Sequence, residues 1–195
     1  MLLTPKFKNL MNKHEVIDDF LPKETFKKLQ KYCEGKFTIV NAGDKQFSVL
    51  PLPEFIIPYL EVEGYTRVFS FIRSAYQDFD NEYRIHADNI ILGEKVSVAS
   101  VLYINNSEGV TKNGTAFYEH YLHGKELSEC VSNEEFNRLL LEDSNDLSKW
   151  KITDYIESKP NRLLKYNANK FHSKLPKSIE VGTRIVLASF YKKID

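Results

Sequence analysis

The chain is predicted to be mainly β with flanking helices, a closed antiparallel architecture of the jelly-roll type. Three observations carry this expectation. Short runs with strand alternation recur along the sequence, turn residues separate them, and 13 Phe and 11 Tyr supply the aromatic side chains that pleated surfaces favour. At 195 residues the chain fits a single domain, 1–195, with a core large enough to fold without disulfides or a structural metal.

The elements follow in order. Val16-Ile17-Asp18-Asp19-Phe20-Leu21-Pro22 opens the fold and leads into residues 23–34. There Phe26, Leu29 and Cys33 fall near helical spacing, and Pro22 suits the first helical turn. Pro51, Pro53 and Pro58 break the next stretch into loop or very short helix. From Tyr65 the texture changes: Val68, Ser70, Ile72 and Ser74 oppose Phe69, Phe71 and Arg73, which is a strand period. Further strand-like runs lie at 83–87, 96–104, 115–118, 150–156, 162–166 and 184–191. Ser132 followed by Glu135 is a capping-box pattern, and Phe136, Leu139 and Leu140 give the next turns an apolar face. A helical insertion between strands is therefore expected at about 119–149.

Charged residues make up 28% of the chain and the formal net charge is zero, so there is no broad electrostatic pull toward nucleic acid or a membrane surface. Only Cys33 and Cys130 are present, which is no disulfide framework and suits a reducing compartment. Residues 1–13 carry lysines without an apolar core of the kind a secretory signal needs, and no apolar run approaches bilayer-spanning length. The expectation is a soluble, cytoplasmic protein; no pattern specifies an oligomeric state.

Chemistry enters with His86-Ala87-Asp88, followed much later by His172. On a strand, residues two apart point to the same face. Their Cα atoms would lie roughly 6.5 Å apart, so side chains reaching for a metal at about 2 Å can meet on one ion. A third ligand must come from another element, and His172 follows the 162–166 run after an Asn167–Lys170 turn. Two imidazoles and one carboxylate are the donor set of a facial triad for non-heme Fe(II) with open positions. An isolated HxD is common by chance; specificity comes from the order strand, HxD, strand, turn-His and Gly-Thr-Arg strand. His14, by contrast, is expected in solvent, and His120 and His123, an HxxH without a third ligand motif, are expected on a polar surface.

Arg184 opens the last strand with Val186 and Ala188 on its own face. A guanidinium among small apolar neighbours is a receptor for a carboxylate, and burying it unpaired would cost several kcal/mol. The partner is either a ligand's carboxylate or an internal Asp or Glu. Tyr103 shares its face with Ser97, Ala99 and Val101, which leave room for a ligand, so its phenol either reaches that carboxylate or is plain core.

These residues together resemble the Fe(II)/2-oxoglutarate-dependent dioxygenases, most closely the prolyl-4-hydroxylase-like branch. The matching features are Val16-Ile17-Asp18-Asp19-Phe20-Leu21-Pro22, Tyr83-Arg84-Ile85-His86-Ala87-Asp88-Asn89, Val101-Leu102-Tyr103-Ile104-Asn105, Gly114-Thr115, Phe171-His172-Ser173 and Gly182-Thr183-Arg184, and they cover nearly the whole chain. The resemblance implies a double-stranded β-helix (cupin-like) with helices packed against one sheet. It implies His86, Asp88 and His172 as ligands of Fe(II), and Arg184 as partner of the distal carboxylate of the co-substrate 2-oxoglutarate, with Tyr103 at the same carboxylate. Tyr83 matches a position that contacts the target in some prolyl hydroxylases. With O2 as second co-substrate and ascorbate as reductant, such enzymes convert 2-oxoglutarate to succinate and CO2 while hydroxylating an unactivated C–H bond. The carboxylate Asp88 argues against halogenation, because related halogenases place halide there.

The chain departs from the pattern in three places. Collagen-type prolyl hydroxylases usually have Lys where this chain has Arg184. A basic residue expected near the substrate is matched loosely by Lys95, and the stretch from Thr115 to His172 is longer than in compact members. These departures leave the metal site intact and bear on the substrate alone; the resemblance implies a prolyl residue of a peptide or protein, with another amino acid or a small molecule as the alternative. Nucleic-acid demethylation of the AlkB-like kind would need a second arginine six residues after Arg184, where Phe190 stands, and it sits poorly with zero net charge. A non-catalytic jelly-roll binding module would not need HxD and a distant histidine in one cavity.

Overall fold

A computed structural model describes residues 14–42, 45–77, 79, 84–105, 112–128 and 132–194. Tyr83, Cys130 and residues 1–13 lie outside the described residues. Seven strands form the larger sheet, in the order β1 (Glu15–Ile17), β10 (Leu163–Asn167), β7 (Val98–Tyr103), β12 (Thr183–Lys193), β4 (Tyr65–Tyr76), β3 (Lys45–Pro51) and β2 (Thr38–Ala42). A smaller sheet runs β11 (His172–Leu175), β8 (Gly114–His120) and β9 (Trp150–Glu157), and Ile90–Ile91 (β5) pairs with Glu94–Lys95 (β6) as a short ribbon. All pairings are antiparallel. Two antiparallel sheets with the larger one covered by a helix is the double-stranded β-helix.

Alternation assigns each face of the larger sheet. On its outer face Leu163, Leu102, Leu187, Ile72 and Leu50 stand opposite one another across five strands. The helix α1 (Lys23–Tyr32) seals that row with Phe26 and Leu29. Burying these side chains stabilises by about 1.5–3 kcal/mol each. The inner face carries Phe69, Phe71 and Arg73 on β4, paired with Phe190, Ala188 and Val186 on β12, which pair in turn with Ala99, Val101 and Tyr103 on β7. The small side chain of Ala188, between Phe71 and Val101, leaves room on this face, and this room is part of the cavity.

The helix after Pro22 and the 65–76 alternation lie where expected, and the proline-rich stretch is a 3-10 helix, Glu54–Tyr59. Two expectations are corrected. The 83–87 run is not a strand among the described residues: Arg84 has φ +38, which no strand accepts, and only His86 makes a β-bridge, to His172. The insertion holds a helix, α2 (Asn133–Leu141), capped by Ser132 Oγ on Glu135 N at 3.2 Å, but its start belongs to β8, which runs on to His120. The strands β2, β3 and β11 were not read from the sequence. No helix among the described residues is long and apolar enough to cross a membrane.

Candidate metal centre

Three elements bring the site together. His172 opens β11, where Phe117 is its partner on β8. His86 exchanges both backbone bonds with it, N to O at 3.0 Å and 2.9 Å, so the HxD segment lies along β11 as an extra, one-residue rung. Asp88 is anchored by its own N–H, which donates to the Ala168 carbonyl at 2.8 Å. From behind, Ile85 N donates to Ser144 O at 2.9 Å and Arg84 N to Asn145 Oδ1 at 3.0 Å. Ile85 is fully buried with Leu139 of α2, Phe171 and Tyr118. The insertion therefore buttresses the ligand-bearing segment, while Leu140 reaches the cavity wall.

The donor atoms converge. His172 Nε2 is 3.2 Å from Asp88 Oδ2, His86 Nε2 is 3.5 Å from Asp88 Oδ1, and all three donors lie within 4.8 Å of one another. Cis ligands around an octahedral first-row ion at about 2.1 Å stand roughly 3 Å apart, so the spacing fits such an ion after small adjustment. Among the described residues this is the one group of three His, Cys, Asp or Glu side chains close enough to share a metal.

The tautomers fit as well. His86 Nδ1 donates to the Arg84 carbonyl at 2.6 Å and His172 Nδ1 to the Lys170 carbonyl at 2.9 Å. A carbonyl can only accept, so each Nδ1 carries a proton, and in the neutral ring each Nε2 turns a lone pair toward the site. Burial opposes ionisation of Asp88, yet His172 and His86 outweigh it and hold the carboxyl far below its usual range. Burial likewise disfavours a charged His172, but Asp88 beside it raises its pKa above the ordinary imidazole value.

A cavity of about 600 Å³ opens onto the triad, with Thr115, Arg184, Phe69, Phe71 and Phe190 among its walls. Arg184 is buried, with Nη2 3.4 Å from the Gly114 carbonyl and its guanidinium 5.7 Å from the centre of the Tyr103 ring. Tyr103 lies behind the wall: it is fully buried, and its hydroxyl donates to Thr115 Oγ1 at 2.7 Å. Thr115, which accepts that hydrogen bond, lines the cavity in place of Tyr103.

Several side chains escaped the sequence reading. Tyr166, two-fold bonded to Asp88 Oδ2 (3.2 Å) and His172 Nε2 (3.0 Å), gave no signal beyond an aromatic residue in a strand. His120 and His123 are not a polar surface: His120 ends β8 fully buried, its Nε2 donating to Asp143 Oδ2 at 3.1 Å, and the His123 ring lies tilted beside it with centroids 5.0 Å apart. The absence of a third ligand motif pointed to a polar surface, whereas Asp143, brought in from 23 residues away, is what pairs with the buried His120. His14 stacks on Phe117 at 5.1 Å instead of standing in solvent.

No protein-family model matches the chain, and no curated protein matches it either. Solved structures do. The chain superposes on SnoK, a non-heme α-ketoglutarate-dependent carbocyclase from nogalamycin biosynthesis, with a TM-score of 0.63 at 15% identity, covering 93% of this chain and 80% of that one. HygX from Streptomyces hygroscopicus, with nickel and 2-oxoglutarate bound, gives 0.59 at 13% identity, over 92% and 82%. A prolyl-4-hydroxylase from Pseudomonas putida gives 0.51 at 14% identity, over 93% of both chains. The chain thus has the double-stranded β-helix fold of the 2-oxoglutarate-dependent oxygenases.

Proposed function

We propose that this chain is an Fe(II)- and 2-oxoglutarate-dependent oxygenase that hydroxylates an unactivated C–H bond. One observation carries the reading: His86 and Asp88 of one segment meet His172 of another, with both imidazoles turned by backbone carbonyls so that Nε2 faces one point. Such a donor set with open positions suits non-heme Fe(II) and is unlike a closed structural zinc site. Iron bound there with 2-oxoglutarate and O2 would supply the oxidising power, 2-oxoglutarate leaving as succinate and CO2.

The chain's own residues bind, orient and exclude water. His86, Asp88 and His172 hold the metal, and the two Nδ1–H donors keep the rings from rotating. Arg184 takes the distal carboxylate of 2-oxoglutarate by charge-assisted hydrogen bonds, and Thr115 adds a hydroxyl beside it. Tyr103 acts on that carboxylate through Thr115, packed beneath the guanidinium. Phe69, Phe71, Phe190, Val101 and Ala188 form an apolar wall that keeps the pocket dry and receives the substrate's hydrocarbon part.

A prolyl residue of a peptide or protein is the first substrate we assign, because its pyrrolidine ring is a compact apolar target for the phenylalanine wall and the fold is shared with a prolyl-4-hydroxylase. A small molecule is the second, favoured by the likeness to HygX, whose structure with hygromycin B gives a TM-score of 0.56. The test is succinate release from 2-oxoglutarate with Fe(II), O2 and ascorbate, screened against proline-containing peptides, free amino acids and modified nucleotides. Succinate formation, coupled or uncoupled, that needs Fe(II) supports the reading. Protein that never converts 2-oxoglutarate overturns it.

A further inference from the structure

Tyr166 carries a hydroxyl that the core around it does not require. The ring is 1% exposed, edge-on to Phe117 with centroids 5.3 Å apart, and stands opposite Ala99 in the strand register. Phenylalanine would fill the same space, and a hydroxyl withdrawn from water is costly unless it is hydrogen-bonded. Its two neighbours are the oxygen and nitrogen of two proposed ligands, Asp88 Oδ2 at 3.2 Å and His172 Nε2 at 3.0 Å.

The phenol has one proton for these two acceptors. His172 Nδ1 already donates to Lys170 O, so Nε2 is the acceptor nitrogen of the neutral ring. A cation on that lone pair removes His172 as an acceptor and leaves Asp88 Oδ2 to take the phenol's proton alone. The same short segment supplies every support in turn. Tyr166 reaches the Asp88 side chain, the Ala168 carbonyl holds Asp88 N–H, the Lys170 carbonyl holds the His172 ring, and His172 itself follows. Alternate residues from 166 to 172 thus each support or supply the site.

We propose that Tyr166 is a positioning residue of the metal centre, its hydroxyl fixing one oxygen of Asp88 so that the carboxylate gives the ion its other oxygen. This rests on the reading of His86, Asp88 and His172 as metal ligands. A carboxylate restrained in this way leaves coordination positions for a bidentate co-substrate. A carboxylate free to turn can chelate through both oxygens and close one of them.

Ni(II) binding measured by titration calorimetry and the visible spectrum of Co(II)-loaded protein test the proposal without relying on turnover. Tyr166→Phe is expected to weaken Ni(II) binding about 10- to 100-fold, the usual effect of removing a group that orients a ligand, and to change the Co(II) spectrum. Tyr118→Phe is the control, because it removes another buried phenol hydroxyl, bonded to Ser173 Oγ at 2.9 Å, and should leave both readouts unchanged. Equal Ni(II) affinity and superimposable Co(II) spectra in wild type and Tyr166→Phe overturn the inference and leave the metal reading standing. Wild-type protein that binds neither ion overturns both. Should Fe(III)-loaded protein show a phenolate charge-transfer band that Tyr166→Phe removes, the phenol is itself a ligand and the positioning role is overturned.

Discussion

At the residue scale the site makes sharp demands. His86→Ala and Asp88→Ala should each abolish Fe(II)-dependent succinate formation while circular dichroism stays near wild type, because both lie outside the strands and the two sheets pack without those side chains. Turnover at the wild-type rate in either variant would remove that residue from the centre. Arg184→Ala should raise the 2-oxoglutarate concentration for half-maximal turnover about 10- to 100-fold, the worth of a buried charge-assisted contact; an unchanged dependence would make the guanidinium structural. Protons compete with the metal in a defined direction. The raised pKa of His172 means that it is protonated up to a higher pH than an ordinary imidazole, so Ni(II) affinity should begin to fall at correspondingly higher pH on acidification. The metal-free His172–Asp88 pair stabilises the fold below the unfolded imidazole pKa, and this contribution is lost as pH rises through the raised value. The HxD, the distant histidine and the arginine were legible because each belongs to an ordered pattern. Tyr166 and Thr115 were not, because their roles arise from pairings across 78 and 12 positions of sequence that no local pattern records.

At the element scale, strands were legible where alternation was long, as in β4, and lost where a strand was short or polar, as in β2 and β11. The HxD segment was misread because its apolar-polar alternation is strand-like while Arg84 turns into the left-handed region and the insertion, not a neighbouring ladder, takes the N–H groups of Arg84 and Ile85. One glycine joins β8 to the site. A Cβ at Gly114 would come 2.1 Å from the Ile156 carbonyl and 2.9 Å from the Tyr155 ring, so no side chain fits unless β8 and β9 part. The Gly114 carbonyl faces Arg184 and Thr115 follows it on the strand. Gly114→Ala should therefore lower stability and raise the 2-oxoglutarate requirement together, whereas Leu139→Ala in α2 should cost about 2–5 kcal/mol in urea unfolding through its cavity. If Gly114→Ala left the 2-oxoglutarate dependence as in wild type, β8 would not position the co-substrate pocket.

At the scale of the whole molecule, the fold is closed by contacts between the start of the chain and the turn before β10. Asn161, held at φ +65, accepts from Leu21 N at 2.9 Å and donates to the Leu21 carbonyl at 2.8 Å, while its backbone N–H donates to Tyr103 O at 2.9 Å. Beside it Asp18 receives Arg162 Nε at 2.6 Å, Arg162 Nη2 at 3.1 Å and Lys159 Nζ at 3.1 Å. The opening Val-Ile-Asp-Asp-Phe-Leu-Pro run was legible as an element, but its partner 140 residues away was not. Arg162, and after it Lys159, lower the Asp18 pKa from 3.8 to about 2. The sign follows from linkage: a carboxylate with a depressed folded pKa adds stability above its unfolded pKa and loses it as pH falls through the folded one. Wild type should thus unfold at higher urea than Asp18→Asn near neutral pH, and the gap should narrow as pH falls from about 3.8 to about 2. Because these charges are solvent-exposed, added salt should shrink the gap at neutral pH as well. A gap that keeps its size at pH 2 and in high salt would show that the closure depends on Asn161 and its hydrogen bonds, with the ion pairs contributing nothing.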